Sequence, residues 1–244
     1  MKKIFLLALI FPLLLSCSND EAEMNDSIVK LATVENPSQL TNFYLNLEDS
    51  TRLWVLNNDI KYYRPKDEQR VIVDYTVLTD KPRGSTYDHD VKVNDIYEVL
   101  TKGIFPITPS TQDSIGNDPI AITGLWVSGD FLNVEFVYPG YSKMHYITLA
   151  SDASKTYTDG KVHLEFRHNA NDDYPSFNIS GIVCFNLKSI RKSGATSVDL
   201  VIHTTEFDYA TTEKTYTRTY KYGTSASAAP ERAIRIPAKK ARIN

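Results

Sequence analysis

The chain has 244 residues, 27 lysines and arginines, 30 aspartates and glutamates, and a formal net charge of −3. A mildly acidic chain has no overall attraction for nucleic acid, so no nucleic-acid partner is expected. The length is sufficient for one or two domains with their own hydrophobic cores. The only cysteines are Cys17 and Cys184. If Cys17 is modified, as argued below, no disulfide within the chain is possible.

The first 16 residues are predicted to be an export signal. Lys2 and Lys3 precede an apolar run from Ile4 to Leu15. This run of about 12 residues is shorter than the roughly 20 that a membrane-spanning helix needs. The segment Leu14-Leu15-Ser16-Cys17 resembles the lipobox of bacterial lipoproteins, although Leu15 is larger than the residue usual at that place. The resemblance implies cleavage before Cys17, acylation of Cys17 and a membrane as partner; the alternative is an ordinary secretory signal with an incidental cysteine.

Residues 17–27 are predicted to form an acidic tether between the membrane anchor and the folded part of the chain. Its run Asp20-Glu21-Ala22-Glu23 resembles the signals that carry lipoproteins of Bacteroidetes to the outer face of the outer membrane. We therefore expect a lipid-anchored protein of the outer membrane, exposed at the cell surface. The alternative is a location on the periplasmic face.

Short runs of alternating polar and apolar residues, separated by turn signals, predict an all-β fold. In the first block, residues 28–104, Phe43, Leu45 and Leu47 alternate with polar or amphipathic residues, so one face of that strand is expected to be buried. Five short strands in a block of this size fit an OB-type barrel. They are Ile28–Val34, Asn42–Leu47, Arg52–Leu56, Arg70–Leu78 and Val91–Leu100.

Residues 105–120 are rich in proline, serine, threonine and aspartate and are predicted to be a linker. The second block, residues 121–222, is predicted to be a seven-stranded antiparallel β-sandwich, with a hairpin at Ser128-Gly129-Asp130 and core positions at Trp126, Leu132, Val134 and Phe136. Its strands are Ile122–Val127, Phe131–Tyr138, His145–Ala150, Val162–His168, Gly181–Leu187, Val198–Thr204 and Lys214–Tyr222. Cys184 lies within one of them and is expected to be a small buried residue.

Residues 223–244 are predicted to be a flexible basic tail. Residues 231–244 contain five basic residues and one acidic residue, Glu231. The tail is either a solvated extension or a segment that contacts anionic lipid, since basic residues are attracted to such a surface.

Several segments resemble the NigD-like family of Bacteroidetes lipoproteins. In the first block, Phe43-Tyr44-Leu45, Leu53-Trp54 and Gln69-Arg70-Val71 resemble its N-terminal OB domain; in the second, Leu125 to Val134 and Leu164 to Asn169 resemble its C-terminal β-sandwich domain. The resemblance implies the fold and the location of the chain. It implies no catalytic or ligand-binding residues, and the basic tail extends beyond what the two domains require.

Binding is the function class that the residues favour, and the ligand is expected to be a glycan or an envelope protein. The binding candidates in the first block are Trp54, Tyr62 and Tyr63, because an OB barrel offers a shallow face on which aromatic rings stack ligands. Tyr138 and Tyr141, with Tyr157, form a second aromatic patch around Pro139-Gly140. A protective or interaction role linked to bacteriocins, suggested only by the family's name, is the alternative.

Metal binding and catalysis receive little support, and no cofactor is expected. Asn169, Asn171, Asp172 and Asp173 are the weak candidates for a calcium site, because oxygen-rich loops bind calcium; the alternative is a turn in which these side chains bond their own backbone. The five histidines have no zinc-like spacing. A nucleophile elbow and a phosphate-binding glycine loop are absent, so an enzyme is not expected, with a hydrolase of unrecognised site as a third reading.

Overall fold

The computed structural model describes residues 27–36, 42–58, 60, 62–208 and 210–222. The predicted export signal, Cys17, nearly all of the acidic tether and the basic tail therefore lie outside the described residues. Within this described part, no helix is long and apolar enough to cross a membrane. The only helical segment among these residues is a single 3-10 turn at Lys188–Ile190, and all their other regular structure is strand.

The first five strands close into a barrel in the order β1-β2-β3-β5-β4, which confirms the predicted OB-like architecture. Four of the five pairings are antiparallel, and the fifth, between β3 and β5, is parallel. Closure leaves no open sheet edge in the barrel. The strands are β1 Ile28–Glu35, β2 Tyr44–Leu47, β3 Arg52–Asn58, β4 Arg70–Asp80 and β5 His89–Glu98.

The barrel interior is filled by the apolar residues that alternate along these strands. Phe43, Leu45 and Leu47 are buried, as the sequence pattern predicts. Leu31 and Ile72 have the opposite orientation and join a separate apolar cluster with residues of the second block. The barrel therefore has two buried surfaces, one inside it and one where it contacts the rest of the chain.

The second block is a two-layered β-sandwich, which confirms the predicted fold class, although its described residues form nine strands instead of seven. One sheet has the order β14-β13-β11-β10-β7 and the other has the order β6-β12-β9-β8. The pairings of β6 with β12, β7 with β10 and β11 with β13 are parallel, so the sandwich is mixed instead of antiparallel. The strands are β6 Leu100–Lys102, β7 Phe105–Ile107, β8 Ala121–Ser128, β9 Phe131–Gly140, β10 Tyr146–Asp152, β11 Val162–Asn169, β12 Phe177–Asn186, β13 Ser197–Asp208 and β14 Ala210–Lys221.

The two extra strands come from residues that the sequence placed at the end of the barrel and in the linker. Strands β6 and β7 have three residues each, too few for alternation to be recognised, and Pro106 obscures the second.

The end of β7 and the segment after it pack on the sandwich, where Ile107 and Ile115 are buried against Ala150. At Gly116, which has a φ of 66°, a Cβ atom would lie only 2.6 Å from the Cβ of Asn169, so only glycine fits.

The barrel and the sandwich share a buried interface that contains both apolar and polar groups. Trp126, Phe131 and Cys184 of the sandwich pack in one cluster with Leu31 and Ile72 of the barrel. Trp126 is thus buried as predicted, but at the interface of the domains instead of in the sandwich core. Cys184 is also buried, as predicted, and burial raises the pKa of its thiol.

An ion pair between Arg70 and Glu48 lies at this interface. Arg70, at the start of β4, is 2% exposed, and its Nη2 atom lies 2.7 Å from Oε1 of Glu48 in the β2–β3 turn. From the sandwich, Trp126 donates from Nε1 to Glu48 Oε2 at 3.0 Å. Asn133 accepts from Arg70 at 2.9 Å and donates to Glu48 at 3.2 Å. The interface thus surrounds two opposite charges with hydrogen-bonding partners from both domains.

We expect Glu48→Ala to destabilise the protein strongly, because it leaves the Arg70 guanidinium buried without its counter-charge. Breaking a buried pair in this way costs about 3–5 kcal/mol of unfolding free energy. The matched control is Glu68→Ala, which removes an exposed pair between the same two domains, Lys188 with Glu68. Exposed pairs contribute about 0–1 kcal/mol. Urea unfolding followed by circular dichroism measures both; equal effects of the two substitutions would contradict a central role for the buried pair.

Candidate functional site

Three aromatic side chains form a cluster on the outer face of the barrel, which we call the barrel platform. Tyr44 of β2 and Trp54 of β3 are paired across the strands, with ring centroids 4.6 Å apart. Tyr87 in the β4–β5 loop lies 5.9 Å from Tyr44 and 6.3 Å from Trp54. All three are partly exposed, and Tyr44 and Trp54 face outward because their strand neighbours Leu45 and Leu53 take the inward positions. Trp54 is thus at a surface where a ligand can stack.

Cationic side chains lie over the rings of the barrel platform. The Arg52 guanidinium carbon is 3.8 Å from the centroid of the Tyr44 ring, and the Lys81 ammonium nitrogen is 5.3 Å from that of Tyr87. Both cations are also paired with carboxylates, Arg52 with Glu35 at 2.6 Å and Lys81 with Asp90. These contacts hold the rings in place and neutralise the charge around them.

The other two predicted binding residues of the barrel occupy different environments. Tyr62 is 89% exposed and stands apart from the aromatic contacts of the platform. Tyr63 packs its ring on Phe43 at 5.8 Å, and its hydroxyl donates to Gln69 Oε1 at 3.0 Å. Burial, followed by the charge of Glu98, raises the pKa of Tyr63 above its usual range. Tyr63 therefore extends the barrel core, and the platform does not include it.

The predicted second aromatic patch is divided among three places. Tyr138 is fully buried in the sandwich core, so its predicted role in surface binding is wrong. The alternation along β9 turns its ring inward. Tyr141, after the end of β9, is exposed and lies 6.2 Å from the exposed ring of Phe177. Tyr157 lies beside His163 on the outer face of the five-stranded sheet.

A buried chain of hydrogen bonds surrounds Tyr138, and we call it the His145 network. The His145 ring stacks on the Tyr138 ring with centroids 4.1 Å apart. His145 Nδ1 lies 2.8 Å from Nε2 of His168, and His145 Nε2 lies 3.1 Å from Oδ2 of Asp173. His168 Nδ1 lies 3.3 Å from the Pro119 carbonyl oxygen, which completes the chain.

The number of ring hydrogens limits how many contacts of the His145 network can be hydrogen bonds at once. The three contacts need three ring N–H hydrogens, whereas two neutral imidazoles hold only two. All three contacts are satisfied only if the histidine pair carries an extra proton, with the Asp173 carboxylate as counter-charge. Burial, followed by the charge of His145, lowers the pKa of His168 to about 4. The extra proton is therefore disfavoured on His168.

Asp173 orders the turn that carries Tyr141. Its carboxylate accepts hydrogen bonds from the backbone N–H groups of Tyr141 at 2.6 Å and of Ser142 and Lys143 at 3.1 Å. Burial acts to raise the pKa of Asp173, but these hydrogen bonds and the one from His145 hold it well below its usual range. The network thus connects the buried histidine pair to an exposed loop.

The weak calcium candidates form a turn. Asn171 and Asp172 have φ angles of 55° and 51°, and the Asn171 N–H donates to Asn169 Oδ1 at 2.8 Å. The Asp173 carboxylate accepts hydrogen bonds from the loop after β9, as described above. Among the described residues, no group of three or more histidine, cysteine or acidic side chains is arranged to hold a metal ion. The geometry thus corresponds to the turn alternative of the sequence analysis.

Sequence reasoning missed Tyr87 and both histidine pairs. Tyr87 lies in a loop without periodicity, and only the closure of the barrel brings it to Tyr44. His145 and His168 are 23 residues apart and meet because β10 and β11 are neighbours with a fixed register. His163 and His168 do lie on opposite faces of β11, as their odd spacing predicts.

We expect His168 to remain neutral in the native protein down to about pH 4. In the unfolded chain its pKa returns to about 6.5, so between pH 7 and pH 4 the unfolded state binds a proton that the native state does not. The contribution of His168 is therefore a loss of about 3 kcal/mol of unfolding free energy as the pH falls through this window. NMR titration of the histidine ring protons checks the pKa, and unfolding of His168→Gln, which cannot titrate, checks the loss. Titration of native His168 near pH 6.5 would contradict this prediction.

Comparisons with known proteins place this geometry in a family. Residues 31–99 match the NigD-like N-terminal OB domain, and residues 103–220 match the NigD-like C-terminal β-sandwich domain. No curated protein matches the chain significantly.

Solved structures of proteins from Parabacteroides and Bacteroides species have the same fold. A protein of Parabacteroides distasonis described as toxin-related is 32% identical, with a TM-score of 0.69 over 81% of this chain and 95% of its own. A NigD-like immunity protein of Bacteroides caccae is 18% identical, with a TM-score of 0.63 over 77% of this chain and 91% of its own. A protein of Bacteroides fragilis named as a lipoprotein is 14% identical, with a TM-score of 0.56 over 82% of this chain and 100% of its own. With both domains matched in order along its length, the chain belongs to the NigD-like family.

Proposed function

We propose that the protein is a non-catalytic binding module that holds a glycan on the barrel platform. The observation that carries this proposal is the cluster of three partly exposed rings, Tyr44, Trp54 and Tyr87, on one outer face of the barrel. OB barrels bind oligosaccharides and oligonucleotides on the face of their second and third strands and on the flanking loops. The platform is built from these parts, since its rings come from β2, β3 and the β4–β5 loop.

The charges around the platform favour a glycan over a nucleic acid. Arg52 and Lys81 are both paired with carboxylates, Glu35 and Asp90. Phosphate contacts require cations that release counterions on binding, and a paired cation contributes little of this effect. Sugar rings need no such charge, because their apolar faces stack on aromatic side chains and their hydroxyls bond to polar groups at the rim.

An envelope protein is the alternative ligand for the same surface. Clustered tyrosine and tryptophan side chains are also typical of protein interfaces. The immunity protein of Bacteroides caccae, which shares the fold, is consistent with a protective role toward a bacteriocin. If deletion of the gene changed sensitivity to competing strains without altering growth on glycans, this alternative would replace the glycan proposal.

The location we propose is the outer membrane, with the domains anchored by acylated Cys17 and facing outward. The lipobox-like Leu14-Leu15-Ser16-Cys17 and the acidic run after it support this location, as does the related lipoprotein of Bacteroides fragilis. The basic tail, residues 223–244, contacts anionic lipid in this arrangement. The alternative remains attachment to the periplasmic face.

We expect Trp54→Ala to weaken glycan binding at least tenfold, because it removes the largest ring of the barrel platform. A glycan array with the purified protein identifies a ligand, and titration calorimetry with that ligand gives the affinity of the variant. The matched control is Tyr174→Ala, which removes an exposed aromatic side chain from the sandwich. Equal affinities of the Trp54 variant and the unchanged protein would exclude the platform, and an array without signal would exclude a glycan.

Substitution of Cys17 should release the protein from the membrane, because acyl chains attached there supply the anchoring free energy. In cells that express Cys17→Ala, we expect the protein in the soluble fraction instead of the membrane fraction. Protease treatment of intact cells that express the unchanged protein tests its orientation, since a surface-exposed domain is degraded. Full protection from protease would contradict the outward orientation, and a membrane-bound Ala variant would contradict the lipid anchor.

A further inference from the structure

A small pocket lies on the outer face of the five-stranded sheet, well separated in sequence from the barrel platform. Its volume is about 120 Å³. Strands β11 and β13 form its floor, and the loop after β10 forms one wall. Six side chains that carry charge or an aromatic ring line it: Lys155, Tyr157, Glu165, Arg167, His203 and Glu213.

The aromatic wall of this outer-face pocket is Tyr157, which is held in one orientation. Its ring lies parallel to the imidazole of His163, with an angle of 3° and 3.5 Å between ring centroids. Tyr157 is nonetheless 41% exposed. Because His163 covers one side of the ring, the opposite side is the one open to a ligand.

A chain of hydrogen bonds fixes His163 under Tyr157. His163 Nε2 lies 3.0 Å from the Asp159 carboxylate, and His163 Nδ1 lies 2.9 Å from Nε2 of His203. His203 Nδ1 lies 3.2 Å from Glu213 Oε1. These contacts hold the histidine pair between two carboxylates, those of Asp159 and Glu213.

The polar floor of the outer-face pocket is centred on Glu165. Its side chain is 9% exposed, and its two oxygens lie 2.5 Å from Lys155 Nζ and 2.8 Å from Arg167 Nη1. Arg167 is fixed in turn, because its Nε donates to the Gly116 carbonyl at 2.6 Å. A nearly buried carboxylate with two cations beside it is a rigid set of donors and acceptors.

We infer that this outer-face pocket binds one ring of a neutral sugar. The ring would stack on the open side of Tyr157, and its hydroxyls would bond to the donors and acceptors around Glu165. Both cations of the pocket are already paired with carboxylates, Lys155 with Glu165 and Asp152, and Arg167 with Glu165. A neutral, polyhydroxylated ligand therefore fits better than an anion. The volume leaves space for a single ring, so the expected affinity is in the millimolar range.

The inference is independent of the barrel platform, and one NMR experiment tests it separately. Saturation-transfer difference spectra of the purified protein are recorded with glucose, galactose, mannose and N-acetylglucosamine, and with glucuronate as the anionic comparison. We expect a signal from at least one neutral sugar that Tyr157→Ala weakens at least tenfold in affinity. Tyr157→Phe, which keeps the ring, should retain binding within about threefold.

The matched controls separate the two sites. Trp54→Ala removes a ring from the barrel platform and should leave monosaccharide binding in the outer-face pocket unchanged. Circular dichroism of Tyr157→Ala verifies that the exposed substitution leaves the fold intact. Absence of signal from all neutral sugars, signal from glucuronate alone, or a signal that the Tyr157→Ala variant retains would each overturn the inference. Loss of the signal in the Trp54 variant alone would assign the sugar to the platform instead.

Discussion

The arrangement of the whole molecule depends on one buried ion pair, that of Arg70 and Glu48. Removing two charges from water is costly, and their mutual attraction offsets this cost only if the geometry is good and the remaining hydrogen-bonding groups find partners. Here the partners come from the other domain, as Trp126 and Asn133 of the sandwich both bond to Glu48. Glu48 therefore has these partners only when the barrel is docked in one position, whereas the Nε atom of Arg70 is buried without a hydrogen-bond partner among the described residues.

The ion pair also connects the interface to the barrel platform. Glu48 directly follows β2, and the same hairpin carries Tyr44 on β2 and Trp54 on β3. Docking of the turn on the sandwich thus restrains the two strands that present the rings. A platform on a restrained hairpin loses less conformational entropy when it binds a ligand than one on a free loop would. The contact of Glu48 with the sandwich, at the turn of the hairpin, thus favours ligand binding to the rings that the two strands carry.

The parts of the fold that the sequence predicts are those that depend on local alternation. Phe43, Leu45 and Leu47 reveal a half-buried strand because inward and outward positions alternate. The parts that it does not predict depend on where separate strands meet. Nothing around Arg70 marks it as buried, because its burial results from the approach of Asn133, 63 residues away. The sequence does not distinguish the partly exposed Trp54 from the buried Tyr138, since aromatic residues occur on either face of a strand.

Strand β11 joins the two faces of the sandwich into one structural unit. Its inward residues include Phe166 of the core and His168 of the His145 network, whereas its outward residues include His163, Glu165 and Arg167 of the outer-face pocket. Because successive side chains of a strand point to opposite faces, the backbone that positions the buried histidine also positions the pocket. The two histidine pairs thus brace the strand from both sides, one bonded to Asp173 and the other to Asp159 and Glu213. The rigid donors of the pocket follow from this bracing, since a strand held on both faces has little freedom to move its side chains.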